Sequence, residues 1–205
     1  MRHFNNVLTR VFAATLLVAL GLAGPSIAQD QKTTISKIKI DNFGRISDSF
    51  YRGAQPKGQD YSDLALLGIK TIVNLTSDDV DVNEKAMVEK AGMKYIQIPM
   101  TTHEPPTPAK ISQFLGILKN PESTPIYLHC VGGKHRTGVM TALYRMTDEG
   151  WTADQAFKEM KQYKFGADFL HKEFKNFVYT YYTDLAKTLK TPVEPAVIAT
   201  VKASN

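Results

Sequence analysis

Cys130 is the only cysteine in a chain of 205 residues, and six positions after it stands Arg136, in the run His129-Cys130-Val131-Gly132-Gly133-Lys134-His135-Arg136-Thr137-Gly138. The run lies where an apolar strand-like stretch gives way to a helical pattern. At such a junction the free N–H groups of the first helical turn point outward and favour an anion. Gly132 and Gly133 permit the backbone angles by which successive N–H groups converge into an anion nest. Arg136, at the helix start, carries a planar fork suited to two oxygens of a phosphate or sulfate. The same N–H groups, helix dipole and guanidinium favour thiolate over thiol, so Cys130 is expected to titrate below the roughly 8.5 of a free cysteine. A thiolate beneath a bound phosphoryl group is an in-line nucleophile, and its attack gives a phosphocysteine. Preorganised donors then hold the equatorial oxygens as charge spreads over them.

The flanking elements follow from hydrophobic period and punctuation. Ile126 to His129 reads as the strand that delivers Cys130, and Arg136 to Glu149 as the helix that follows, with Val139, Leu143 and Met146 on one stripe. Upstream, Ile35 to Ile40 alternates as a short strand, Phe50 to Arg52 is extended, and Asp60 to Leu67 is a helix stopped by Gly68. Ile69 to Leu75 is a buried strand, Asn83 to Ala91 a helix ended by Gly92, and Tyr95 to Pro99 a strand. Thr107-Pro108 caps and opens a helix carrying Ile111, Phe114, Leu115 and Leu118. Thr152 with Gln155 forms a capping box for a helix to Met160. Residues 168 to 189 make a long amphipathic helix whose lining of Leu170, Phe174, Phe177, Tyr181 and Leu185 reads as core. Alternating strands and helices predict an α/β fold around a parallel-type sheet.

Composition bounds the rest. With 43% hydrophobic and 22% charged residues the chain supports one globular domain, not a disordered or disulfide-stapled one. Arg2 and Arg10 precede an apolar run from Val11 to Leu22, then Ser26-Ile27-Ala28, a small-x-small site. This is the layout of a secretory signal peptide cleaved after Ala28, and the run is too short to span a bilayer of roughly 30 Å. The expected organisation is therefore a signal peptide at 1–28, a catalytic domain at 29–190 and a mobile tail at 191–205, in a periplasmic or secreted protein without a membrane span after cleavage. The five histidines are scattered, so neither a metal site nor a cofactor is implied. The net charge of +5 is spread without an aromatic-interleaved basic strip, which argues against nucleic acid.

The stretch His129 to Gly138 matches the Cys-x5-Arg-(Ser/Thr) signature of the cysteine-based protein tyrosine and dual-specificity phosphatases. Phe50-Tyr51-Arg52-Gly53-Ala54-Gln55-Pro56, Gly68 to Leu75, and Tyr144-Arg145-Met146 with Gly150-Trp151-Thr152 resemble small bacterial members of that superfamily. With the signal peptide, the chain resembles a periplasmic dual-specificity phosphatase of Gram-negative bacteria from about residue 38 to 187. Gly133 to Gly138 is also similar to the loop of plant and fungal atypical dual-specificity phosphatases, a group associated with inositol pyrophosphates. The resemblance implies a protein tyrosine phosphatase-like fold, a central mostly parallel sheet of four to five strands flanked by helices. It implies Cys130 as nucleophile, Arg136 as phosphate clamp and Val131, Gly132, Gly133, Lys134 and His135 as the substrate-binding cradle closed by Gly138. It gives His129 the task of orienting the loop and tuning the thiolate, compatible with a buried histidine bonded to backbone. Thr137 would donate its hydroxyl to the sulfur and assist hydrolysis of the intermediate.

The family takes its leaving-group proton from an Asp about thirty residues before the cysteine, and here no Asp lies between Asp81 and Asp148. Glu104, in Thr101-Thr102-His103-Glu104-Pro105-Pro106, ranks first as general acid if packing on the prolines raises its pKa. His103 ranks second and His135 third. Lys134 and His135 add positive charge suited to a highly phosphorylated or lipid-headgroup ligand, or they are solvated loop charges. Lys164 either borders the site or is a surface lysine. Arg52 is expected to be structural, paired with a carboxylate. The leading substrate is a phosphorylated protein. Inositol polyphosphates, pyrophosphates and phosphoinositides form the alternative, and a non-catalytic phospho-ligand binder comes third.

Overall fold

The computed structural model describes residue 35, residues 37–77 and residues 81–190, so the signal peptide expected at 1–28 and the tail expected from 191 lie outside the described residues. In chain order the elements are β1 (Gly44–Ser47), β2 (Phe50–Ala54), α1 (Asp60–Leu66), β3 (Thr71–Thr76), α2 (Glu84–Lys90), β4 (Lys94–Met100) and α3 (Pro108–Lys119). They continue with β5 (Ile126–Cys130), α4 (Arg136–Asp148), α5 (Ala153–Gln162) and α6 (Lys172–Lys190). The sheet order is β1-β2-β5-β3-β4, with β1 antiparallel to β2 and every other pair parallel. The strand carrying the cysteine is thus the middle one. All residues of β3 and β5 are buried, as parallel strands covered on both faces must be.

Period-two alternation sorts β5 between two cores. Ile126, Leu128 and Cys130 face the larger core with Phe50, Val73 and Leu75, covered by α3 to α6 through Phe114, Leu143, Phe157 and Phe174. Tyr127 faces the smaller core with Tyr51 and Ile72, covered by α1 and α2 through Leu64 and Val88. Helix starts follow the expected chemistry. Thr107 Oγ1 accepts from Lys110 N at 3.4 Å, with Pro108 in the first turn. Thr152 and Gln155 close the capping box reciprocally. Arg145 then ties α4 to α5 and to the hairpin: its Nη2 donates to Glu159 Oε1 at 2.7 Å, its Nη1 to Glu149 Oε2 at 2.6 Å and to the Ile46 carbonyl at 3.3 Å.

Two readings of the sequence are corrected. Ile35 to Ile40 is not a strand: Ile38 N bonds to Ile35 O and Phe43 N to Ile40 O, both at 3.2 Å, so the backbone turns while its isoleucines pack on the smaller core. Both edges of β2 are already taken, one by β5 and the other by β1, a strand the sequence did not reveal. Leu170 is not core but 62% exposed, in the turn that precedes α6. Asp168 draws Lys161 and Lys175 to 2.7 Å each, which fixes that turn and starts the helix only at Lys172.

Candidate active site

Between the end of β5 and the start of α4, the loop 131–135 hangs on the N-terminal hairpin by its carbonyl oxygens. Gln55 N donates to Val131 O at 3.1 Å, Asn42 Nδ2 donates to Gly132 O at 2.8 Å, and Arg52 Nη2 donates to Gly133 O. A trans peptide sets each carbonyl opposite the following N–H. Each tethered oxygen therefore turns the N–H of the residue that follows it, Gly132, Gly133 and Lys134 in turn, away from the group that holds the oxygen. Gly133 has φ +62, and a Cβ there would overlap the Gly53 carbonyl and Ala54 N. Gly132 is different from what its type suggests. It keeps a negative φ, and a Cβ would meet only the Lys134 side chain at 3.6 Å. One glycine, not two, shapes the nest.

Cys130 and Arg136 are both 3% exposed, at the end of the strand and the first residue of the helix. Arg136 Nη1 donates to Met100 O at 3.1 Å, which carries the guanidinium toward the end of β4 at the same edge of the sheet. Arg52 is fully buried and, among the described residues, pairs with no carboxylate, contrary to expectation. Its guanidinium lies 4.0 Å from the centroid of the Tyr163 ring and holds the Gly133 carbonyl. A loop carbonyl and an aromatic face take the place the carboxylate was expected to fill, because Glu159 is already held on both oxygens by Arg145. Thr137 Oγ1 is buried without a hydrogen-bond partner. His135 Nε2 lies 2.9 Å from Phe165 O, and its ring lies against His171, tilted by 35° with centroids 3.7 Å apart. Burial, followed by the charges of His171, Lys134 and Arg136, lowers the His135 pKa from 6.5 despite the bond to Phe165.

The loop after β4 carries Glu104 and His103. Both are exposed, and their N–H groups turn back on Thr101 Oγ1 at 3.1 and 3.4 Å. Pro106 is buried, yet the Glu104 side chain is not, so the desolvation expected from the prolines is absent.

The tyrosine phosphatase family matches residues 37–197 of this sequence. The chain belongs to that family. The dual specificity protein phosphatase TpbA of Pseudomonas aeruginosa is 31% identical over 164 residues, 77% of this chain and 73% of its own length. Its crystal structure matches with a TM-score of 0.59 at 27% identity, over 71% of this chain and 91% of that one. The inositol diphosphatase SIW14 of Saccharomyces cerevisiae is 28% identical over 133 residues, 62% of this chain and 47% of its own. Its core catalytic domain in complex with citrate gives a TM-score of 0.62 at 25% identity, covering 73% and 91%.

As a cysteine-based phosphatase, the protein has a layer behind its nucleophile that sequence reasoning missed. His129 and Glu84 are both fully buried, with Nε2 3.0 Å from Oε1, within ion-pair distance but not aligned as a hydrogen bond. Glu84 also accepts from Asn74 Nδ2 at 2.5 Å and from the Tyr61 hydroxyl at 3.3 Å, while Asn74 Oδ1 accepts from Thr76 N at 2.7 Å. Desolvation, with Glu84 next, holds the Tyr61 phenol well above its ordinary range, so it stays a donor. The phosphatase thus anchors the residue before its cysteine from the α1–α2 face. Glu84 follows Asp81-Val82-Asn83 in a polar stretch, and nothing local distinguished it from a solvated helix start.

Two outcomes follow for the phosphatase loop. Gly133→Ala should cost about 1–3 kcal/mol of stability and at least a roughly hundredfold loss of turnover on an aryl phosphate, whereas Gly132→Ala should stay within about twofold. Because the folded pKa of His135 lies below the unfolded one, the unfolded chain binds the proton first as pH falls. Stability should therefore decline below about pH 6.5 until the folded value is passed, and His135→Gln should flatten that slope in urea unfolding measured from about pH 8 to 5.

Proposed function

We propose that this phosphatase acts on phosphorylated protein side chains, phosphotyrosine first, as a tyrosine or dual-specificity phosphatase. The observation that supports the reading is the loop between Cys130 and Arg136 whose carbonyls are held by Gln55, Asn42 and Arg52, which leaves its N–H groups to meet a phosphate. The bacterial relative's name, and its structure in complex with pTyr at a TM-score of 0.58, support this substrate class.

The chemistry runs in two displacements. The substrate phosphate seats its equatorial oxygens on the N–H groups of the loop and the fork of Arg136. The Cys130 thiolate attacks phosphorus in line, the S–P bond forms as the P–O ester bond breaks, and the leaving oxygen takes a proton from Glu104, which is exposed in the free enzyme and is desolvated only under bound substrate. Water then attacks phosphorus, gives its proton to the Glu104 carboxylate, and releases phosphate as the S–P bond breaks. The unpartnered hydroxyl of Thr137 donates to the departing sulfur. Glu104 stands ahead of His135 because the lowered pKa and the Phe165 contact leave that imidazole neutral and engaged. Cys130→Ser should keep the fold and melting temperature yet lose at least about a thousandfold in kcat/KM on aryl phosphates. In the same series, Glu104→Gln should slow poor leaving groups far more than good ones, while His103→Ala leaves the dependence unchanged. Equal slowing of all leaving groups would remove Glu104 from the role.

A second reading is favoured by a cavity of about 350 Å³ beside the loop, lined by Lys39, Lys57 and Lys134 with Asp41 and Asp60. Asp41 lies 3.5 Å from Lys164, and Asp60 accepts the Lys57 backbone N–H at 2.8 Å, so positive charge dominates the remainder. Such a wall suits a polyphosphorylated small molecule, the class named for the yeast inositol diphosphatase. On that reading, the double variant Lys39→Ala with Lys57→Ala should lose about tenfold in kcat/KM on inositol polyphosphates and stay within about twofold on phosphotyrosine peptides. Equal effects on both substrates would leave the protein phosphatase reading alone.

A further inference from the structure

Arg52 is the one buried cation near the nucleophile that the reaction above does not use. It sits on β2 two residues before Ala54, which pairs with Cys130 across the sheet, and it is fully buried. Below it the Tyr163 ring closes off solvent, and above it Nη2 holds the Gly133 carbonyl. Its Nε and Nη1 are buried with no hydrogen-bond partner. A buried guanidinium with two of its nitrogens unanswered is costly to keep charged unless an anion lies near it.

Four groups favour its charge: Tyr163, Glu159, Cys130 and Tyr127. Burial raises the pKa of both phenols, so neither Tyr163 nor Tyr127 is an anion at neutral pH. Glu159 is already gripped by Arg145 at 2.7 Å, with a second contact at 3.2 Å from Nε to its other oxygen. That leaves the sulfur of Cys130 as the uncommitted partner. Burial lowers the Arg52 pKa to about 10, so the side chain stays charged where the enzyme works.

We propose that Arg52 is a positioning residue of the nucleophile site: it fixes the Gly133 peptide, so that the Lys134 N–H faces the phosphate, and it sets a second cation against the Cys130 thiolate from below. Arg136 binds substrate; Arg52 holds the loop and charges its floor. The inference rests on the phosphatase reading of the site, yet it is separable from it.

The test follows alkylation of Cys130 by iodoacetamide against pH in the full chain, a readout that needs no turnover, beside kcat/KM on p-nitrophenyl phosphate and the melting temperature. Arg52→Met removes charge and fork while keeping length, and Arg52→Lys keeps the charge as a single donor point. Arg52→Met should move the alkylation midpoint to higher pH by about one unit and lower kcat/KM at least roughly tenfold. Arg52→Lys should restore the midpoint while kcat/KM stays depressed, because the fork on Gly133 is lost. An unchanged midpoint in Arg52→Met, with only a lower melting temperature, would reduce Arg52 to scaffold and overturn the proposal. Equal shifts in both variants would do the same, since charge would not be the cause. Where Arg52→Met fails to fold, Arg52→Lys decides: a midpoint displaced from wild type refutes the assignment, and a retained midpoint with depressed kcat/KM upholds it. Wild-type enzyme that alkylates with a low midpoint but hydrolyses nothing would sink the phosphatase reading instead.

Discussion

A peptide plane carries its oxygen and its hydrogen on opposite sides, and between β5 and α4 that fact is turned into a binding site. Donors from the N-terminal hairpin and the segments flanking it take three successive loop oxygens, so three successive hydrogens face the other way. This arrangement needs one residue that tolerates left-handed backbone and carries no side chain where the loop lies against β2. Gly133, set against the Gly53 carbonyl, supplies both.

The central place of β5 explains why the two halves of the protein converge on one sulfur. Residue alternation sends Cys130 to the large core and His129 to the small one, so each face of the sheet holds the nucleophile strand separately. On one side a buried carboxylate, an amide and two phenols fix an imidazole. On the other, a guanidinium stacked on an aromatic ring fixes the loop. Buried polar groups packed from both faces in this way are costly to disturb, and they confer a single geometry on the chain between them.

Much of this was legible from residue types. The Cys130–Arg136 spacing, the strand-to-helix junction and the strong periodicity of Ile126 to His129 and Arg136 to Glu149 sufficed for the chemistry and for most elements. What escaped was non-local. β1 holds a single aliphatic residue, Ile46, in Gly44-Arg45-Ile46-Ser47, so it exists only because β2 offers an edge. Ile35 to Ile40 has the alternation of a strand, but its backbone turns on itself and its isoleucines pack on the smaller core. Asn42, Arg52 and Glu84 are ordinary polar residues in sequence; their roles come from partners many positions away, which no local pattern encodes. Gly132 erred in the opposite sense, a glycine whose freedom the fold does not use.

The hydrogen bonds from Asn42 and Arg52 to the loop span 90 and 81 residues of chain. Contacts of such long separation form late, after most of the entropy of closing the intervening chain has been spent. The ten-residue signature is therefore not a portable catalytic unit. A fragment beginning after β2 would retain the cysteine, the arginine and every glycine of the loop, and would still lack the scaffold that turns its peptides outward. Competence for chemistry arrives together with completion of the tertiary structure, as a property of the whole topology and not of the short stretch that advertises it.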